Sequence, residues 1–290
     1  MLALLLNYQG VDKSEIILKA KLRLLTILIF ESAFLFVFFV EMTDNELTDK
    51  QFWANYWESK KGLAFKVPEN YTFYQIIQQI TKEKKISSAI ELGGFPGYYA
   101  IFLKKYFGIT VSLLDYFIHP QILKEVLAVN NLDEKDVEVI EADLFNHQPT
   151  KQYDLVLSCG LIEHFKNTED IIAKHIPFLN ANGTLLITLP NFRGVNGWVQ
   201  KTFDRYNFDK HVLECMDPIL LAQIAKQLGL KNIEAYYFGR FSTWLENKEE
   251  KSFITKFLVR SIWYVGKIIT RVIPVESKLF SPYIVLKANR

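Results

Sequence analysis

Five short, continuously apolar runs of β type, separated by stretches with helical patterning, limit what this chain can fold into more than any other feature. They are ISSAIEL (86–92), ITVSLLD (109–115), VEVIEAD (137–143), YDLVLSC (153–159) and TLLITLP (184–190). Each is too apolar for a strand with one wet face, which predicts a parallel sheet covered by helices on both sides. Candidate helices over about 97–107, 119–130 and 168–180 have the length of βαβ crossovers, and a further helix-like segment spans Tyr71 to Lys84. KNIEAYYFG (231–239) and SPYIVLKA (281–288) read as two more strands. The expected body is an open, doubly wound α/β domain. Ligands of such sheets sit at the carboxyl ends of the strands, so the residues that end each run are the ones to read for function.

The chain has 290 residues, 50% of them hydrophobic, and Lys+Arg of 34 against Asp+Glu of 32 leaves a net charge of +2. That composition is neither a disordered chain's nor that of a protein built to wrap nucleic acid, so no nucleic-acid partner is expected. Cys159 and Cys215 lie far apart without CxxC or Cys/His spacing, which fits a reducing compartment and suggests neither a disulfide framework nor structural zinc.

Residues 24–40 read LLTILIFESAFLFVFFV, apolar but for Glu31, behind Lys19, Lys21 and Arg23 and ahead of Glu41, Asp44, Glu46 and Asp49. A helix of that length spans about 25 Å against a hydrocarbon core of about 30 Å, and its internal charge costs about 2–3 kcal/mol. The flanking charges would also export everything downstream, and no small-x-small cleavage site follows the run. The reading taken is an over-extended start, with 1–41 as an apolar extension and Met42 opening a domain over 42–290. An interfacial or marginal anchor comes second and export third. The expected location is cytoplasmic, at the inner face of the membrane if the anchor reading holds.

The first run ends Glu91-Leu92-Gly93-Gly94-Phe95-Pro96-Gly97 and leads into a helix, where backbone and helix-start amides can approach a ligand. The second ends at Asp115, where an acid can accept two hydrogen bonds from a ribose diol. The third ends Glu141-Ala142-Asp143-Leu144. Taken singly, the glycines are also a tight turn and each acid a solvated strand end. Three carboxylates, Glu91, Asp115 and Asp143, at the ends of successive strands should repel unless something occupies the rim between them.

With these segments in this order the sequence resembles the class I S-adenosylmethionine-dependent methyltransferases, and within them the branch that modifies small molecules, lipids and glycans. The resemblance covers roughly Phe52 to Leu230 and the final strand. ELGGFPG resembles the family's glycine loop, LLDYF its ribose-binding segment, EADLF its adenine-binding segment, YDLVLSCGLIEHF its fourth strand and substrate-facing loop, and LNANGTLLITLPN the approach to its fifth strand. It implies a Rossmann-like, mostly parallel seven-stranded sheet with an antiparallel last strand. It further implies S-adenosylmethionine held by Glu91, Gly93, Gly94 and Gly97, with Asp115 and Tyr116 at the ribose, Asp143 and Leu144 at the adenine, and Ser158 and Cys159 near the sulfonium. Phe95 stands where the family has its middle glycine, so the loop is expected to run differently there. The other dinucleotide class, a nicotinamide dehydrogenase, wants G-x-G-x-x-G, which Gly93, Gly94 and Gly97 do not satisfy.

Methyl transfer from a sulfonium needs an aligned nucleophile and, for a hydroxyl, a base. Glu163 and His164 follow the fourth strand, and His211 lies in the long segment Leu189–Pro218, read as an acceptor lid over about 190–218. His211 is the preferred base and His164 the second; each is equally well read as a packed or hydrogen-bonded anchor. Arg193, Lys201, Arg205 and Lys210 of the lid either meet an anionic acceptor or form a solvated face. In quinone-biosynthesis O-methyltransferases, which this loop resembles, an acid and a histidine here hold a divalent metal. The sequence shows no third ligand, so no metal is expected. Phe52, Trp53, Tyr56 and Trp57 share one face of a helix that packs on the domain, and in the family such a helix closes over the cofactor.

An insertion over about 240–280 contains Lys256, Arg260, Lys267 and Arg271 on one narrow helical face, with Phe257, Leu258, Ile262, Val265, Ile268, Ile269 and Val272 on the other. The expectation is that this helix, near 252–273, packs its apolar face on the domain; the second reading is peripheral contact with an anionic bilayer. The function expected is methylation, at oxygen, of a small-molecule, glycan or lipid-linked acceptor. The alternative from another class is a binding protein that keeps the fold without turnover.

Overall fold

The apolar runs form one seven-stranded sheet in the order β3-β2-β1-β4-β5-β7-β6. The strands are β1 (Ser88–Leu92), β2 (Thr110–Asp115), β3 (Val137–Glu141), β4 (Tyr153–Cys159), β5 (Leu179–Pro190), β6 (Lys231–Phe238) and β7 (Tyr283–Asn289). The first five run parallel, and β7 is antiparallel to both its neighbours, β5 and β6. This computed structural model describes residues 47–246, 248–272 and 276–290. The apolar run at 24–40 and the expected boundary at Met42 lie outside the described residues; Leu47–Arg290 form one compact unit.

Strand alternation divides the core into two layers. On one side Ile90, Val156, Leu185, Ile187 and Leu286 pack with Ile171 and Ile172 of α5 (Thr168–His175) and Leu221 and Ile224 of α8 (Pro218–Gln227). On the other, Ala89, Leu155, Leu157 and Leu186 meet α2 (Tyr74–Glu83), α3 (Tyr98–Phe107) and α4 (Pro120–Val129) through Ile77, Phe102 and Leu127. Both faces of the inner strands β1, β2, β4, β5 and β7 are largely dry, which is why these strands carry little polar alternation, whereas the edge strands β3 and β6 are partly exposed. Local signals place the helix starts. Asn167 caps α5 by accepting from the Asp170 amide at 3.2 Å, and Asp217 caps α8 by accepting from Ile219 at 3.0 Å, with Pro218 at the first helical position.

Two expectations need correction. The segment after β5, expected as a long loop, carries α6 (Val195–Phe203) and α7 (Arg205–Phe208). Its basic residues are also largely spoken for: Arg193 pairs with Asp217 at 2.8 Å, Arg205 pairs with Asp209 at 2.7 Å, and Lys210 lies over the Phe52 and Tyr206 rings. Buried Asp204, between α6 and α7, accepts from the Glu246 amide at 2.9 Å and pairs with Lys251 at 2.7 Å, which ties this segment to the one that precedes α9 (Phe253–Val272).

The second correction concerns α9, the predicted helix of the insertion. It rests on the body through Val259, Gly266 and Thr270, and its large apolar side chains face outward. A Cβ on Gly266 would lie 2.0 Å from Phe241, so only a glycine permits this approach. Periodicity showed that the helix has two faces; the small residues decided which one docks.

Candidate active site

The glycine turn is built around Glu91. Its carboxylate does not face the rim: it is buried, and Oε2 accepts from the Ala100 amide of α3 at 2.7 Å. Gly97, the N-cap of α3, sits at φ 89 and has no side chain to cap with, so Glu91 satisfies the helix start from beneath. That placement requires Gly94, where a Cβ would stand 2.2 Å from the Glu91 Cγ. Burial pushes Glu91 up to about 8.

Asp115 and Asp143 are likewise engaged. Asp115 Oδ2 accepts from the Phe95 amide at 2.9 Å and Oδ1 from Phe117 at 3.1 Å, which anchors the glycine loop to the end of β2. Burial raises it to about 6, although its amide donors pull the other way. Asp143 accepts from the Phe145 amide at 2.8 Å and holds its own turn, beside buried Leu144. Each of the three acids accepts from the protein's own amides, and Asp115 adds to burial in raising Glu91, so the two carboxylates do repel.

The other predicted cofactor residues separate by strand parity. Ser158 faces away from the rim and contacts His175 of α5, Oγ to Nε2 at 2.9 Å, in the core. Burial lowers His175 to about 4. Cys159, the last residue of β4, lies near Glu91 and Glu163, and burial pushes its thiol well up. Gly93 donates to the Leu114 carbonyl at 2.7 Å, and Tyr116 lies under Lys50, whose Nζ is 5.8 Å from its ring.

Helix α1 (Lys50–Ser59), started by Asp49 accepting from Phe52 at 2.7 Å, crosses these strand ends. Lys50 pairs with Glu141 at the end of β3 at 2.5 Å, the Trp57 ring meets Phe95 of the glycine loop at 5.2 Å, and Trp53 meets His164 at 5.2 Å. One aromatic helix therefore touches both the glycine loop and His164 beyond β4.

After β4 the short turn Ile162–His164 brings Glu163 and His164 against His211. The Val212 amide donates to the Glu163 carbonyl at 2.7 Å, which fastens the two segments together. One ligand atom from each of Glu163, His164 and His211 lies within 4.8 Å of the other two. His164 Nδ1 bonds the Lys210 carbonyl at 2.9 Å and His211 Nδ1 bonds the Asn207 carbonyl at 2.8 Å. Each Nδ1 is therefore a donor, and each Nε2 keeps its lone pair. Glu163 Oε2 is buried without a hydrogen-bond partner. Burial raises Glu163 to about 8, and burial with the neighbouring His211 lowers His164 to about 3; burial also lowers His211. Sequence reading named all three residues without joining them. It found no third ligand for a metal because the fold, and not local spacing, supplies His211.

The fold is that of a Rossmann-like methyltransferase. The sequence profile of the methyltransferase domain matches residues 68–235, more than half of the chain, and the chain belongs to that family of S-adenosylmethionine-dependent enzymes. Among solved structures it is similar to phosphoethanolamine N-methyltransferase 2 of Haemonchus contortus in complex with S-adenosyl-L-methionine, at 19% identity and a TM-score of 0.51. That match covers 74% of this chain and 51% of the other, so the chain spans about half the length of the nematode enzyme. It is also similar to a methyltransferase from Thermotoga maritima, at 12% identity and a TM-score of 0.50, covering 81% of this chain and 95% of that one. At such identities these likenesses speak to the fold alone. No curated protein gives a significant match.

Proposed function

We propose that this methyltransferase carries the methyl group of S-adenosylmethionine to an oxygen of a small-molecule, glycan or lipid-linked acceptor at the Glu163–His164–His211 cluster. The supporting observation is the pair of imidazoles whose Nδ1 atoms are committed to backbone carbonyls, so that both Nε2 lone pairs remain to take a proton. In the step an acceptor oxygen forms a bond to the methyl carbon, the carbon–sulfur bond breaks to leave a neutral thioether, and the hydroxyl proton passes to an imidazole. His211, half-buried and carried by the lid, is the base, and His164 is its neighbour.

A second reading is favoured by the unpartnered Glu163 Oε2: the same three side chains would hold a divalent cation. Bound there, such an ion would lower the pKa of a coordinated acceptor hydroxyl. The test is methyl transfer from labelled S-adenosylmethionine to small-molecule, glycan and lipid extracts, with and without a chelator. Label in an ether or ester supports the proposal, and label confined to nitrogen overturns it. Chelator-sensitive transfer restored by a divalent salt selects the second reading.

A further inference from the structure

We infer that α9 is an interfacial helix that seats the enzyme on the surface of an anionic bilayer, a property independent of which acceptor is methylated. The helix is 20 residues long and docks by a narrow strip of Val259, Gly266 and Thr270. Away from the body it presents Phe253, Ile254, Phe257, Val265, Ile268 and Val272, exposed by 82%, 69%, 61%, 56%, 65% and 76%. At about 100° per residue the docked strip and the centre of this apolar face lie on nearly opposite sides of the helix. Contiguous exposed apolar surface of this kind marks an interaction site.

Charge selects the occupant. Lys256, Arg260, Lys267 and Arg271 line one edge of the apolar face, and Phe253–Val272 contains no acid. A second copy docked face to face would bring four more cations and no anion to meet them, whereas lipid phosphates meet all four while the acyl region takes the apolar side chains. Arg260 lies over the Tyr264 ring at 5.6 Å, which sets one amphipathic ring at the boundary between cations and apolar face, and Lys267 lies over the Trp263 ring at 5.3 Å on the docked side of the cations. Among the described residues no helix is long and apolar enough to cross a membrane, so α9 lies on the surface.

The full chain is sedimented with vesicles of phosphatidylcholine alone and of phosphatidylcholine with phosphatidylglycerol, over a range of salt. Binding to the anionic vesicles is expected to weaken as salt rises, by about fivefold in partition for each cation lost. Reversal of Lys256, Arg260, Lys267 and Arg271 to Glu, and separately Phe257→Ser with Ile268→Ser, should each remove at least nine-tenths (~90%) of it. Arg260, Arg271, Phe257 and Ile268 are exposed and Lys256 and Lys267 half-buried, so circular dichroism is the control that a loss of binding is not a loss of fold. Failure of the wild-type chain to bind anionic vesicles at low salt overturns the inference. Undiminished binding by both variants also overturns it and moves attachment to another segment, such as the apolar run at 24–40. A dimer in sedimentation velocity that the serine variant converts to monomer, without vesicle binding, assigns the face to a second copy instead.

Discussion

The imidazole rings of His164 and His211 lie 4.8 Å apart, centroid to centroid, although the segments that carry them are distant in the chain. Each ring is packed against an aromatic from another element, Trp53 on His164 at 5.2 Å and Phe192 on His211 at 4.7 Å. A base held this way keeps its orientation without paying for it at the moment of reaction. His211→Ala should lower turnover about 10²–10⁴-fold at saturating acceptor and leave cofactor affinity nearly unchanged. Unaltered turnover would transfer the role to His164, tested by the same substitution there.

Asp115 holds the glycine loop through the Phe95 and Phe117 amides. Asp115→Ala should therefore weaken S-adenosylmethionine binding by about 1.5–3 kcal/mol in calorimetric titration and lower thermal stability together. A loss of affinity with stability unchanged would mean that the carboxylate serves the cofactor alone.

Glu163 and Glu91 are both raised to about 8 by burial. For each, the unfolded chain loses its proton near the ordinary glutamate value while the folded chain retains it. The stability this confers is fully present below that lower value and is lost as pH rises toward about 8. The melting temperature should accordingly fall between neutral pH and pH 8, and Glu163→Gln should flatten the fall by up to about 1.4 kcal/mol per pH unit. An unchanged slope in that variant would show that Glu163 titrates normally.

If the cluster takes a divalent cation, Glu163 must first lose its proton, whereas both lowered histidines are already neutral. Manganese affinity measured by calorimetry should rise about tenfold per pH unit up to about 8. No heat at any pH would remove the metal reading and leave the base reading standing.

The sheet was legible because strands buried on both faces must be apolar throughout, and β1, β2, β4 and β7 begin within two residues of their predicted positions. The site was less legible for reasons that differ residue by residue. Nothing local distinguishes an acid such as Glu91 that dives under the following helix from one that faces a ligand. Ser158 follows from strand parity only once the covering helix is known to present His175. The meeting of Glu163 and His164 with His211 depends on long-range packing. The outward apolar face of α9 depends on Gly266, whose meaning lies in Phe241 opposite it.

Asp204 receives the Glu246 amide and Lys251 on one side and begins α7 on the other, and α7 runs directly into Asn207, whose carbonyl orients His211. The segment that leads into α9 and the short helix whose carbonyl holds His211 are thus fastened to one buried carboxylate, so a change at Asp204 reaches both at once.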